Sequence, residues 1–172
     1  DCSIHRCDDH SCVICRIFGS TDDNIERGPT RVIFRDAFLT SKGTVEKIGK
    51  DNGIVDSLKI LEDMRKTKGL LYAETKWENT INRLKGKADN LRSQERIPPG
   101  IQFEFSISFK VLEHADEGYF QYLLHGLWLL KQDALGGSGS RGYGKVQFLA
   151  VKDETGASQE IKDRANEIKV PV

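Results

Sequence analysis

At 172 residues, with 38% hydrophobic and 30% charged side chains, the chain has the length of one domain and the composition of a globular protein with a modest core. Its 26 basic and 26 acidic residues cancel, which excludes a uniformly basic nucleic-acid binder and leaves any such affinity to local charge. No apolar run nears the roughly 20 residues of a membrane span, and no basic segment followed by an apolar one reads as a secretory leader, so a cytoplasmic protein with no membrane partner is expected.

The chain opens at Asp1 inside a dense cysteine cluster and reads as part of a longer protein. Residues 1–16 hold all four cysteines and two of the four histidines. Cys12 and Cys15 form a CxxC that can bring two thiolates to one metal, with His5 and Cys7 just upstream to close a tetrahedron. Zinc suits such an S₃N set, and four protein ligands leave no open position, so a structural site is expected. Cys2 and His10 are spare candidates. A disulfide framework is the alternative, but nothing suggests export and cytosolic disulfides are rare. A redox CxxC usually follows a strand in a βαβ unit, which is not the setting here.

After the turn-forming stretch Gly19 to Pro29, residues 31–39 (RVIFRDAFL) are rich in β-branched and aromatic residues and predict a strand. Ile54, Leu58 and Leu61 share a helical face, predicting a short helix over 54–66. Residues 67–100 show neither period and end at Pro98-Pro99-Gly100, as an extended insertion or long loop would. Between Arg65 and Arg96 stand nine basic and four acidic residues, a surplus of five, interleaved with Tyr72, Trp77 and Leu84. Cations neutralise phosphates and flat side chains accept bases, the combination single-strand binders use. A solvated loop that happens to be basic is the plainer reading.

Residues 101–111 alternate strictly: Ile101, Phe103, Phe105, Ile107, Phe109 and Val111 against polar neighbours, predicting one strand with a buried and a wet face. Asp116 and Glu117 suit a helix start. Tyr119, Phe120, Leu123, Leu124, Leu127 and Trp128 continue it as an apolar stripe. Leu135-Gly136-Gly137-Ser138-Gly139-Ser140 ends that helix and leads through Arg141 and Tyr143 to a predicted strand over roughly 144–151. Glycines let a backbone approach a phosphate, and Arg141 adds charge; a flexible connection is the alternative. The spacing matches neither a Walker loop nor a dinucleotide fingerprint. The tail from Asp153 is polar, and helix and loop both fit it. The order strand, insertion, strand, helix, Gly-rich loop, strand is the back part of an α+β, ferredoxin-like or RRM-like unit. Its first strand and helix are expected before Asp1.

Several stretches together resemble one family: the run from His5 to Ser20, RVIFRDAFL (31–39), ETKWENTINR (74–83), QERIPPG (94–100) and LGGSGSRGYGKVQF (135–148). They are similar to the third Csm subunit of type III-A CRISPR effector complexes, within the RAMP superfamily and related to the Cas-seven backbone proteins. The resemblance implies a single RAMP-type domain over 1–172, with a zinc-binding segment at 1–16, a thumb-like insertion at 67–100 and the strand–helix–loop–strand unit at 101–151. It implies a guide-RNA-binding backbone subunit that assembles with copies of itself and other Csm subunits. It further implies a metal-dependent endoribonuclease that cuts guide-paired target RNA with magnesium or another divalent cation. RNA contacts carried over by motif are Lys76, Asn79, Arg83, Arg92 and Arg96 at the insertion, and Gly137, Ser138, Ser140, Arg141 and Tyr143 in the loop. Because the guide pairs with its target, such a protein needs only backbone and stacking contacts. The family's catalytic aspartate lies in a front loop, and no residue here matches that motif; Asp36 is expected in a strand and is not assigned the role. The alternatives are a RAMP subunit that binds RNA without cutting it and a zinc-stabilised protein-interaction module.

Overall fold

A computed structural model describes residues 5, 7, 9–20, 28–69, 72–162 and 164, in two units: Asp1–Asp36 with Phe105–Val172, and Ala37–Glu104. The architecture is α+β, with every sheet a two-stranded antiparallel pair.

In the first unit, β1 (Val32–Phe34) pairs with β6 (Ile107–Phe109), with Val32 opposite Phe109 and Phe34 opposite Ile107. Helix α1 (Val13–Phe18) and helix α4 (Asp116–Gln132) supply the rest of the core. Val13, Ile17, Val32 and Leu123 are buried together, with Ile107, Phe109, Tyr119, Phe120 and Tyr122 packed against them. The predicted stripe of α4 therefore does what its 3.6-residue period implies: Leu123, Leu124 and Leu127 are buried on one face. Trp128 lies flat against His125, the ring centroids 5.5 Å apart. The amide of Arg31 donates to Arg16 and Ile17 carbonyls, fastening the entry of β1 to the end of α1.

In the second unit, β2 (Phe38–Leu39) pairs with β5 (Phe103–Glu104). Helix α2 (Lys42–Ile48) opens with Ser41 and Thr44 capping one another's backbone, and α3 (Ser57–Lys68) opens with Asp56 accepting from the Lys59 amide. A buried polar knot joins these pieces: Thr40 Oγ1 donates to the Val55 carbonyl at 2.6 Å and lies 2.8 Å from Ser57 Oγ. Ser57 Oγ in turn accepts from the Gln102 amide at 2.8 Å. The remaining element is a long hairpin of β3 (Glu74–Asn82) and β4 (Lys87–Arg96).

Five expectations are corrected. Residues 31–39 form β1 and β2 with a break between them, so Asp36 lies outside any strand. Residues 101–111 likewise divide into β5 and β6, each with its own partner, and Phe103 and Val111 are exposed rather than on a buried face. Both splits have one cause: a ladder continues only while a partner strand does, which alternation within one segment cannot report. Residues 67–100 are mostly hairpin rather than loop, because two exposed, charged strands need no apolar period to pair. Helix α3 starts at Ser57, leaving Ile54 buried ahead of it and Leu58 exposed; Leu61 alone of the helical pair is buried. Residues 144–151 have no ladder partner among the described residues and form no strand, although Phe148 packs edge-on against Phe105.

Candidate metal centre and nucleic-acid interface

The CxxC straddles the start of α1, with Cys12 at the N-cap position and Cys15 buried one turn on, so a three-residue offset puts both sulfurs on one side. The loop before it is bent by Asp9, whose carboxylate accepts from the Ser11 amide at 2.8 Å and the Ser11 hydroxyl at 2.7 Å. This bend returns His5 and Cys7 to the helix start. His5 Nε2 lies 3.3 Å from Cys12 Sγ, and Cys7 Sγ lies 3.5 Å from Cys15 Sγ. All four donor atoms fall within 4.8 Å of one another. A zinc tetrahedron has edges of about 3.8 Å between sulfurs and about 3.5 Å between sulfur and nitrogen, so three soft thiolates and an imidazole at these spacings fit the group. The cluster can hold a metal ion. His10 is outside it, and Cys2 lies outside the described residues.

The hairpin carries the insertion's candidate residues. Its register pairs Glu78 with Arg92 and Thr80 with Asp89, leaving Asn79 opposite two residues, Asn90 and Leu91. This is a bulge on β4, and Asn90 takes the left-handed conformation such a kink requires. Asn79, Arg83 and Arg92 are exposed, while Lys76 and Arg96 are half-buried. Arg92 pairs across the strands with Glu78 at 3.5 Å, Lys76 lies 4.0 Å from the same carboxylate, and Arg96 pairs with Glu74. Lys76, Arg92 and Arg96 keep side-chain exposures of 42%, 43% and 35%, so solvent screens these pairs and a phosphate can compete for the three cations. Trp77 is 64% exposed, with Ile81 and Leu91 also open.

The Gly-rich loop is closed at its base by the Leu135 amide donating to the Gly144 carbonyl at 2.9 Å. Between them Ser138 is left-handed and Gly139–Arg141 form a single 3₁₀ turn. Gly137, Ser140 and Arg141 are exposed and Ser138 is half-buried. Tyr143 is buried, at 8% exposed. Gly144 is required where it stands, since a Cβ there would sit 2.2 Å from the Leu135 carbonyl oxygen. A cleft of about 290 Å³ beside this loop is lined by Lys131, Gln132, Lys145, Val146 and Gln147. The cleft joins the end of α4 to residues 145–147, parts of the chain that only folding brings together.

The two remaining histidines are placed differently. His125 Nδ1 accepts from the Arg164 amide at 3.2 Å, and the exposed His114 lies 3.4 Å from Glu117. Among the described residues, no helix is long and apolar enough to cross a membrane.

The sequence is similar to proteins named CRISPR system Cms endoribonuclease Csm3. The one from Methanocaldococcus jannaschii is 37% identical over 150 residues, covering 86% of this chain and 51% of that protein. The Methanothermobacter thermautotrophicus protein is 38% identical over 153 residues, covering 82% and 55%, and the Streptococcus thermophilus protein is 36% identical over 151 residues, covering 86% and 59%. The chain thus spans little more than half the length of these relatives. The model of the RAMP superfamily matches residues 2–147, and with α+β architecture and a Csm3-like sequence over most of its length, the chain belongs to the RAMP superfamily.

Proposed function

We propose that the chain is part of a guide-RNA-binding backbone subunit of a type III-A CRISPR antiviral complex, assembled with further copies of itself and other Csm subunits. The observation that carries this reading is the hairpin Glu74–Arg96, which combines exposed Arg83 and Arg92 with an exposed Trp77 in a neutral chain. Cations for phosphates and a flat ring for bases are what sequence-independent single-strand binding uses. In this reading the hairpin is the thumb-like insertion, and Lys76, Asn79, Arg83, Arg92 and Arg96 act with Gly137, Ser138, Ser140 and Arg141 on the guide's backbone. Tyr143, carried over by the same motif, is buried, and in this reading it holds the loop's shape. The names of the relatives support endoribonuclease activity for the whole protein; in this reading it cuts guide-paired target RNA with magnesium or another divalent cation.

His5, Cys7, Cys12 and Cys15 bind one zinc ion. Four protein ligands leave it no open position, so it fixes His5 and Cys7 to the start of α1 and activates no water. The test of the RNA reading is a titration of unrelated single-stranded RNAs at stepped salt concentrations. Log affinity should fall linearly with log salt and differ little among sequences. A protein-interaction module would bind none of them.

A further inference from the structure

The four donors of the metal centre fall into two close pairs, and the pairs differ in chemistry. Cys12 has an imidazole nitrogen beside its sulfur at 3.3 Å, whereas Cys7 and Cys15 have each other's sulfur at 3.5 Å. Cys15 is 2% exposed within α1, and Cys7 is half-buried in the preceding loop. Cys12 is half-buried like Cys7, so a solvent oxidant reaches both, but Cys7 is the one with a sulfur 3.5 Å away, that of the buried Cys15.

We propose that Cys7 and Cys15 are a redox couple through which hydrogen peroxide expels the metal ion. The Cys7 thiolate attacks one peroxide oxygen, the O–O bond breaks, and the departing hydroxide takes a proton to become water. Cys7 is left as the sulfenic acid. The Cys15 thiolate then attacks the Cys7 sulfur, forming the S–S bond and displacing a second hydroxide, which is also protonated to water. Two thiolates lose two electrons, one peroxide becomes two waters, and two protons are consumed. Closure moves the sulfurs from 3.5 Å to about 2.05 Å, a shift the loop residue Cys7 can make while Cys15 stays in its helix. With two anionic ligands gone, His5 and Cys12 alone cannot retain the ion. The release half of this proposal rests on the zinc reading above; the choice of sulfurs does not.

The zinc-loaded chain is treated with increasing hydrogen peroxide, while released zinc is followed with a chromogenic chelator and disulfides are mapped by peptide mass spectrometry. One zinc should be released per Cys7–Cys15 bond formed, and dithiothreitol with added zinc should reverse both changes. Cys12→Ser should still form the Cys7–Cys15 bond. A bond to Cys12 in place of this one, or zinc release with no disulfide, overturns the proposal. Absence of zinc from the starting protein overturns the ligand assignment instead, and the bond mapped in that metal-free chain still decides the sulfur pairing.

Discussion

Arg31 and Asp116, 85 positions apart, form an ion pair with 2.8 Å between Nε and Oδ2, and their side chains are 2% and 0% exposed. The same carboxylate oxygen accepts the Leu112 and Glu113 amides at 2.9 Å, so one buried acid holds β1, the turn after β6 and the start of α4 together. Removing one partner of a buried pair strands the other charge, which typically costs about 3–5 kcal/mol. Asp116→Ala should lower unfolding stability by that order in urea denaturation, and a loss under about 1 kcal/mol would refute this role. Burial by itself pushes the Asp116 carboxyl up, but the amides of Leu112 and Glu113 and the Arg31 guanidinium outweigh it and hold it below its ordinary value. A carboxyl depressed in the folded state stabilises the fold above its unfolded pKa of about 3.9, and that stability is lost as pH falls through the lower folded value. The wild-type stability curve should therefore drop below about pH 4 more steeply than that of Asp116→Asn.

Metal removal should loosen the first unit. A structural ion contributes folding free energy because its ligands converge only in the folded chain. Elemental analysis after dialysis should give one zinc per chain, and a strong chelator should lower the melting temperature. Cys15→Ser should do the same without chelator. An unchanged melting temperature after complete metal removal contradicts a structural role.

Arg83 lies in the hairpin turn between β3 and β4, and Arg141 in the 3₁₀ turn of the Gly-rich loop, both exposed. Arg83→Ala and Arg141→Ala should each weaken binding to unrelated RNAs alike, because phosphate contacts carry no base information. Each should also flatten the salt slope by about one unit per lost phosphate contact. A changed sequence preference with the slope intact would mean base recognition instead.

Gly144→Ala should be harmful out of proportion to a single methyl group. Its φ is +74°, and the added Cβ would meet the Leu135 carbonyl oxygen at 2.2 Å. Stability should fall by about 1–3 kcal/mol in thermal or urea unfolding, and RNA affinity should fall with it as the loop base opens. Gly137→Ala, with open space around its Cβ and no positive φ, is the control that should leave stability nearly unchanged.

Features whose information is local were legible along the chain. The spacing of His5, Cys7, Cys12 and Cys15 announced a four-donor cluster, because an Asx bend and one helical turn suffice to gather them. The stripe from Tyr119 to Trp128 announced α4, since 3.6-residue periodicity is written along a single segment. Charge counting found the basic insertion, and five matching stretches pointed to the RAMP superfamily. Features that depend on partners were legible only in the folded chain. Whether Phe103 is covered, where 31–39 breaks and whether 144–151 becomes a strand turn on which backbone lies alongside, and no alternation within a segment encodes its neighbour. Asp116 shows the difference most sharply: its position signalled a helix start, but folding set it against Arg31, 85 residues away, as the buried charge that joins strand to helix.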